Sequence, residues 1–150
     1  MTSLLPVEAD ELSELYLMED DITVWMPICD IAEIDLDRGV AASVDGHAIA
    51  VFRLAPMPGA AGEELYAVDH IDPRTGTPTI ARGLVGSVGD APTVAAPLYK
   101  ERYDLRTGAC LDDPTLSLGV HEVRLHRTTV EVRVNVTVRK SSGNTDSADS

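Results

Sequence analysis

From Thr23 onward the apolar and polar positions follow the two-residue period of a β-strand rather than the period of a helix. The clearest stretch is 129–138, where Val130, Val132, Val134, Val136 and Val138 share one face and Glu131, Arg133, Asn135 and Thr137 the other. Such alternation predicts a half-buried antiparallel strand. Residues 39–44, Asp45-Gly46 and 47–54 read as a hairpin around an Asp-Gly turn. Shorter strands are expected at 24–28, 65–68, 93–97, 99–105 and 120–126. Asp30-Ile-Ala-Glu33 has the form of one capped turn. Between the strands lie a Pro/Gly loop at Pro56, Pro58, Gly59 and Gly62, a Gly/Pro/Thr-rich stretch at 69–89, and turns at 106–108 and 112–114. No internal repeat stands out. Many short strands separated by turn signals predict an all-β sandwich or small barrel.

The two ends follow different rules. Residues 1–22 are expected to form an acidic extension, with a short helix that Ser3 would cap and with Leu5, Leu12, Leu15 and Tyr16 along one face. Residues 139–150, which include SSGNTDSADS, are polar and small and are expected to be disordered. The β domain is placed at 23–138.

Composition narrows the function. A chain of 150 residues fits one domain and can bury a core without metal or disulfide staples. Its formal net charge is −13, and eleven acidic residues precede the first basic one, Arg38. Phosphate binding depends on basic side chains, so nucleic acid and anionic membranes are not expected partners. The sequence has no run of eighteen apolar residues, and MTSLLPVEADEL lacks the basic and apolar regions of a secretory signal. A cytoplasmic location is expected. Cys29 and Cys110 stand far apart in no metal-ligand spacing and read as reduced, small apolar side chains.

Several segments carry chemistry by resemblance. Asp72-Pro-Arg74-Thr-Gly76 and Ala96-Pro97-Leu-Tyr99, with Tyr103-Asp-Leu-Arg-Thr-Gly108 after them, resemble the two cluster-binding loops of Rieske proteins. There, two Cys and two His hold a [2Fe–2S] cluster. The prolines are kept as Pro73 and Pro97, but Asp72, Arg74, Ala96 and Tyr99 occupy the four ligand positions. Alanine has no ligating atom and arginine stays protonated, so no Rieske cluster is expected. Together with Ile80-Ala-Arg82-Gly-Leu-Val-Gly86, Pro97-Leu-Tyr-Lys100 and Cys110-Leu-Asp-Asp-Pro114, these segments resemble the small subunits of assimilatory NAD(P)H nitrite reductase, from about Val24 to Val134. The acidic extension and the loop 55–63 depart from that pattern.

The resemblance implies a Rieske-like antiparallel β domain that supports a large subunit in reducing nitrite to ammonium. It also implies that FAD, an iron–sulfur cluster and siroheme reside on that partner, with no catalytic residue, metal or other cofactor on this chain. Two other readings stand beside it: a Rieske-type ferredoxin carrying electrons, and a cofactor-free binding module acting alone. Arg74, Arg82 and Lys100 are the candidate docking residues. Arg74 and Arg82 are alternatively read as an internal clip closing on Asp72 or Asp69 in place of the cluster. Tyr99 is expected to fill space that a ligand has left. His70 with Asp69 and Asp72 lacks the third element that a coordination sphere would need, and is read as no metal site.

Overall fold

The computed structural model describes residues 19–56 and 64–139, with side chains described over 22–56 and 64–135. Among the described residues ten strands form three sheets, antiparallel wherever the register is given: β1 (Glu19–Asp30), β10 (Thr129–Arg139) and β9 (Val123–His126) in the order β1-β10-β9; β2 (Arg38–Val44), β3 (His47–Leu54), β4 (Glu64–Asp69) and β8 (Val120–His121) in that order; and β5 (Leu84–Val88), β6 (Ala91–Ala95) and β7 (Arg102–Asp104). Contacts divide the chain into a main unit, Trp25–Val134, and a terminal unit of Met1–Val24 with Asn135–Ser150.

The expected hairpin is present. Asp45 and Gly46 both take positive φ, 49° and 81°, as a two-residue turn matching the strand twist requires. β3 is the hub of its sheet, with Ile49, Ala50, Val51 and Phe52 fully buried on both faces. The expected capped turn is a 3-10 turn, Ile31–Glu33. Asp30 accepts from the Ala32 N–H at 2.9 Å, and Glu33 reaches back to the Asp30 N–H. Arg53 donates to the carbonyls of Ile31 and Ile34 at 3.1 and 2.7 Å, reinforcing the end of the short turn, where the Ile31 carbonyl also accepts the Ile34 N–H. Thr128 then fastens this end to the β9–β10 turn through Asp30 at 2.9 Å.

Several expectations are corrected. Glu19–Ile22 belong to β1 instead of closing a helical extension; the rest of the expected extension, 1–18, lies outside the described residues. The expected tail keeps Arg139 in β10, and 140–150 lie outside the described residues, as do 57–63 of the Pro/Gly loop. Within 69–89 the chain forms a 3-10 turn, Ile80–Arg82, and then β5. Glycines obscured that strand, yet Gly83 is what admits it: a Cβ there would sit 2.5 Å from the Ala95 carbonyl oxygen. The expected strand at 99–105 shrinks to β7, because Pro97–Lys100 is the reversal joining β6 to β7. Lys100 takes φ 66°, outside strand geometry.

One core cluster includes Phe52, Val68, Val94, Tyr103 and Leu105. Ile80 and Ala96, from the two loops of interest, pack into the same cluster. The loops are therefore rooted in the core of the domain.

Candidate functional site

Loop 1 runs from His70 to Gly83 and loop 2 from Ala96 to Glu101. Asp72 is fully buried and organises the first turn: its Oδ1 accepts the Arg74 N–H at 2.9 Å, and its carbonyl accepts the Gly76 N–H at 2.7 Å. The same turn occurs a second time. In Asp104-Leu-Arg-Thr-Gly108, Asp104 Oδ1 accepts the Arg106 N–H at 2.8 Å, and the Asp104 carbonyl accepts the Gly108 N–H at 2.7 Å. The closing glycines, Gly76 and Gly108, take φ 75° and 80°. The motif Asp-x-Arg-Thr-Gly is thus an internal repeat that a search for domain-scale periodicity overlooks.

The two arginines end differently. Arg106 folds back on its own Asp104, Nη2 to Oδ2 at 3.1 Å, and holds that carboxyl below the usual carboxylate range. Arg74 leaves its turn and crosses to loop 2. Its guanidinium lies 3.1 Å from Glu101 Oε2 and 4.5 Å from the centre of the Tyr99 ring. The expected clip of Arg74 and Arg82 on Asp72 or Asp69 does not form; Arg74 alone joins the loops, with Glu101 as its acid. Asp69 is engaged elsewhere, by His121 Nε2 at 2.8 Å and the Gly119 N–H at 3.0 Å. Arg82 takes no part: it is exposed, and no carboxylate lies within 4 Å of it among the described residues. Glu101 was missed because only the loop geometry turns it inward, to 6% exposure.

The neighbourhood is polar. Asp72 Oδ2, both Glu101 carboxylate oxygens and the Tyr103 hydroxyl have no hydrogen-bond partner in the structure. The Arg74–Glu101 approach satisfies the distance of an ion pair without aligning an N–H, so it compensates charge and not hydrogen bonding. A buried carboxylate with neither would be costly. Burial, and then the nearby Cys110, Asp72 and Glu101, push the Tyr103 hydroxyl above its ordinary range, so it stays protonated.

The four positions do not fit a [2Fe–2S] cluster. Ala96 is a fully buried core residue, Arg74 is paired with Glu101, and Tyr99 is 59% exposed, a platform for Arg74 rather than a filler of interior space. Neither cysteine substitutes. Cys110 is buried in the core cluster, and Cys29 lies in β1, where burial raises its thiol pKa. Among the described residues no group of three His, Cys, Asp or Glu is placed to hold a metal. His70 is instead a structural pin. Its ring is buried, with Nδ1 accepting the Ala81 N–H at 3.1 Å, and its carbonyl accepts from Thr79 and Ile80.

Burial, with a smaller contribution from Arg82, lowers the His70 pKa from its ordinary 6.5. The unfolded chain then takes up this proton first, so the contribution of neutral His70 is complete above pH 6.5 and is lost as pH falls toward the lowered folded value. Thermal melts at pH 7.5 and 5.5 should therefore show a smaller difference in His70→Gln than in the unaltered chain. An equal difference would remove His70 from the account.

Three antiparallel sheets carrying two paired loops define a Rieske-like domain, and the Rieske-like [2Fe-2S] domain family matches residues 24–133. The NADH nitrite reductase small subunit of Escherichia coli K12 is 31% identical over 109 residues, 73% of this chain and 96% of that protein. The solved structure titled as an NADH-dependent nitrite reductase small subunit from Mycobacterium tuberculosis superposes with TM-score 0.68 at 33% identity, covering 75% of this chain and 96% of that one. This chain belongs to the NADH nitrite reductase small-subunit family of Rieske-like domains. A nitrite reductase [NAD(P)H] large subunit of Klebsiella oxytoca is also 36% identical over 88 residues, 59% of this chain; the match spans only 8% of that large protein.

Proposed function

We propose that this chain is the accessory small subunit of a cytoplasmic NADH-dependent nitrite reductase. In this reading it supports a large subunit that reduces nitrite to ammonium with FAD, an iron–sulfur cluster and siroheme, while this chain carries no redox centre. The observation that carries the reading is the replacement of all four ligand positions, by Asp72, Arg74, Ala96 and Tyr99, in a chain collinear with 96% of an Escherichia coli small subunit. Ala96 inside the core and Arg74 held by Glu101 leave no thiolate or imidazole at those positions.

The match within a Klebsiella oxytoca large subunit supports the partner. A related stretch occurs there in the same polypeptide as the large subunit, which is the arrangement expected of a domain that works beside it. The electron-carrier reading requires two Cys and two His at the loop positions, and these are absent. Among the described residues no helix is long and apolar enough to cross a membrane.

Activity tests the proposal. NADH-dependent nitrite consumption by the cognate large subunit should rise saturably as this protein is titrated in. An unchanged rate at every ratio would contradict an accessory role and favour a binding module with another partner.

A further inference from the structure

We infer that the tip formed by loop 2 and the start of β5 is the surface that docks the large subunit, onto a patch of carboxylates surrounding an apolar seat. This inference rests on the proposed function and adds to it the face and the chemistry of the contact.

Exposure carries the first half of the argument. Single exposed apolar side chains are ordinary on protein surfaces. Here Leu84, Tyr99 and Leu98, at 72%, 59% and 56%, are the three most exposed large apolar side chains among the described residues. The fold brings them to one end. Leu84 is paired directly with Ala95, the last residue of β6, and loop 2 starts at the next residue. Gly83 allows that approach by lacking a Cβ. Loop 2 is itself closed by the Ala96 N–H to the Glu101 carbonyl at 2.8 Å and the Lys100 N–H to the Ala96 carbonyl at 2.9 Å. Leu98 and Tyr99 therefore project from a short, braced reversal, and Arg74 stacked on Tyr99 adds to the bracing.

Charge carries the second half. The chain has 25 acidic residues against 12 basic ones, and six of the ten cations with described side chains have found partners. Arg74, Arg102, Arg106, Arg124 and Arg133 each pair with a carboxylate, and Arg53 caps carbonyls. Arg38, Arg82, Lys100 and Arg127 have no carboxylate within 4 Å among the described residues. Two of these four, Arg82 and Lys100, flank the exposed leucines. The acids of the two loops face inward: Asp72 and Glu101 are buried, and Arg74 compensates the Glu101 charge. A cationic, apolar tip is complementary to an acidic partner surface, while the net charge of −13 that every copy carries opposes self-association.

Binding of the full chain to the cognate large subunit tests this, with affinity measured at low and high salt. Arg82→Glu and Lys100→Glu should each raise Kd about tenfold in low salt, with the difference shrinking as salt screens the contact. Leu98→Ser should raise Kd by a similar factor at both salt concentrations, because apolar burial is not screened. Arg127→Glu, an equally unpaired exposed cation in the β9–β10 turn, should bind as the unaltered chain does. If the unaltered chain binds but the tip variants bind equally well, or only Arg127→Glu is weakened, the face is wrong and the functional reading stands. If the unaltered chain does not bind the large subunit at all, the functional reading and this inference fail together.

Discussion

Arg74→Glu is expected to lower the melting temperature of the domain by about 10 °C. The substitution removes the cation lying 3.1 Å from a nearly buried carboxylate and puts a second carboxylate in its place. Breaking a fully buried ion pair costs about 3–5 kcal/mol. Arg74 is 47% exposed, so solvent screening reduces its share and about 2–3 kcal/mol is the appropriate scale. For a domain of this length each kcal/mol moves the midpoint by roughly 4 °C. Glu101 has no hydrogen bond of its own to fall back on. Glu101→Gln in the same background should therefore restore most of the loss, since it removes the buried charge that Arg74 compensated. A melt within about 2 °C of the unaltered protein would show that charge does not hold the two loops together. Failure of the second substitution to rescue would assign the loss to the packing of Arg74 on Tyr99 instead.

Gly108→Ala is expected to cost at least as much, about 3 kcal/mol or more, for a different reason. Gly108 takes φ 80°, and a Cβ there would meet the Leu118 carbonyl oxygen at 1.9 Å, within backbone that the Leu118 N–H to Gly108 carbonyl bond holds in place. Backbone cannot swing aside as a flexible side chain can. The repeated turn supplies an internal comparison. Gly76 closes the equivalent Asp-x-Arg-Thr-Gly turn at φ 75° with nothing within 4 Å of its absent Cβ. Gly76→Ala should then cost only the left-handed backbone strain, about 1–2 kcal/mol. Denaturant titration of the two variants measures the difference directly. Equal losses would mean that the Leu118 contact is relieved by movement and that backbone strain dominates both.

Local chemistry made much of the fold legible. The Asp45-Gly46 hairpin and the Asp30–Glu33 capping box are short-range signals whose geometry is complete within a few residues, and both appear as read. The valine alternation before Val136 likewise places Val130, Val132 and Val134 inside. Signals that depend on the rest of the fold were less legible. β5 reads as loop because of the glycines in and around it, and the reason for Gly83, its close approach to Ala95 of β6, exists only once the sheet is built. Tyr99 and Lys100 read as the start of a strand, and only the β6–β7 pairing requires a reversal there. At the site, the loss of ligands was plain from residue types alone, since Ala96 and Arg74 cannot bind iron whatever surrounds them. The acid completing the clip was not. Glu101 looks like any solvated charge in a chain with 25 acidic residues, and its burial follows from the closure of loop 2. The ion pair to Glu101 likewise separates Arg74 from Arg82 and Lys100, three exposed cations that the sequence places in one group.

The central claim is that protein groups have replaced the cluster between loops 1 and 2, and iron content tests it most directly. The purified chain, incubated anaerobically with ferrous iron, sulfide and thiol and then desalted, should retain no stoichiometric iron or acid-labile sulfide and should show no visible absorbance. Two irons and two sulfides per chain, with the absorption of a [2Fe–2S] centre, would contradict the account and return the domain to the electron carriers.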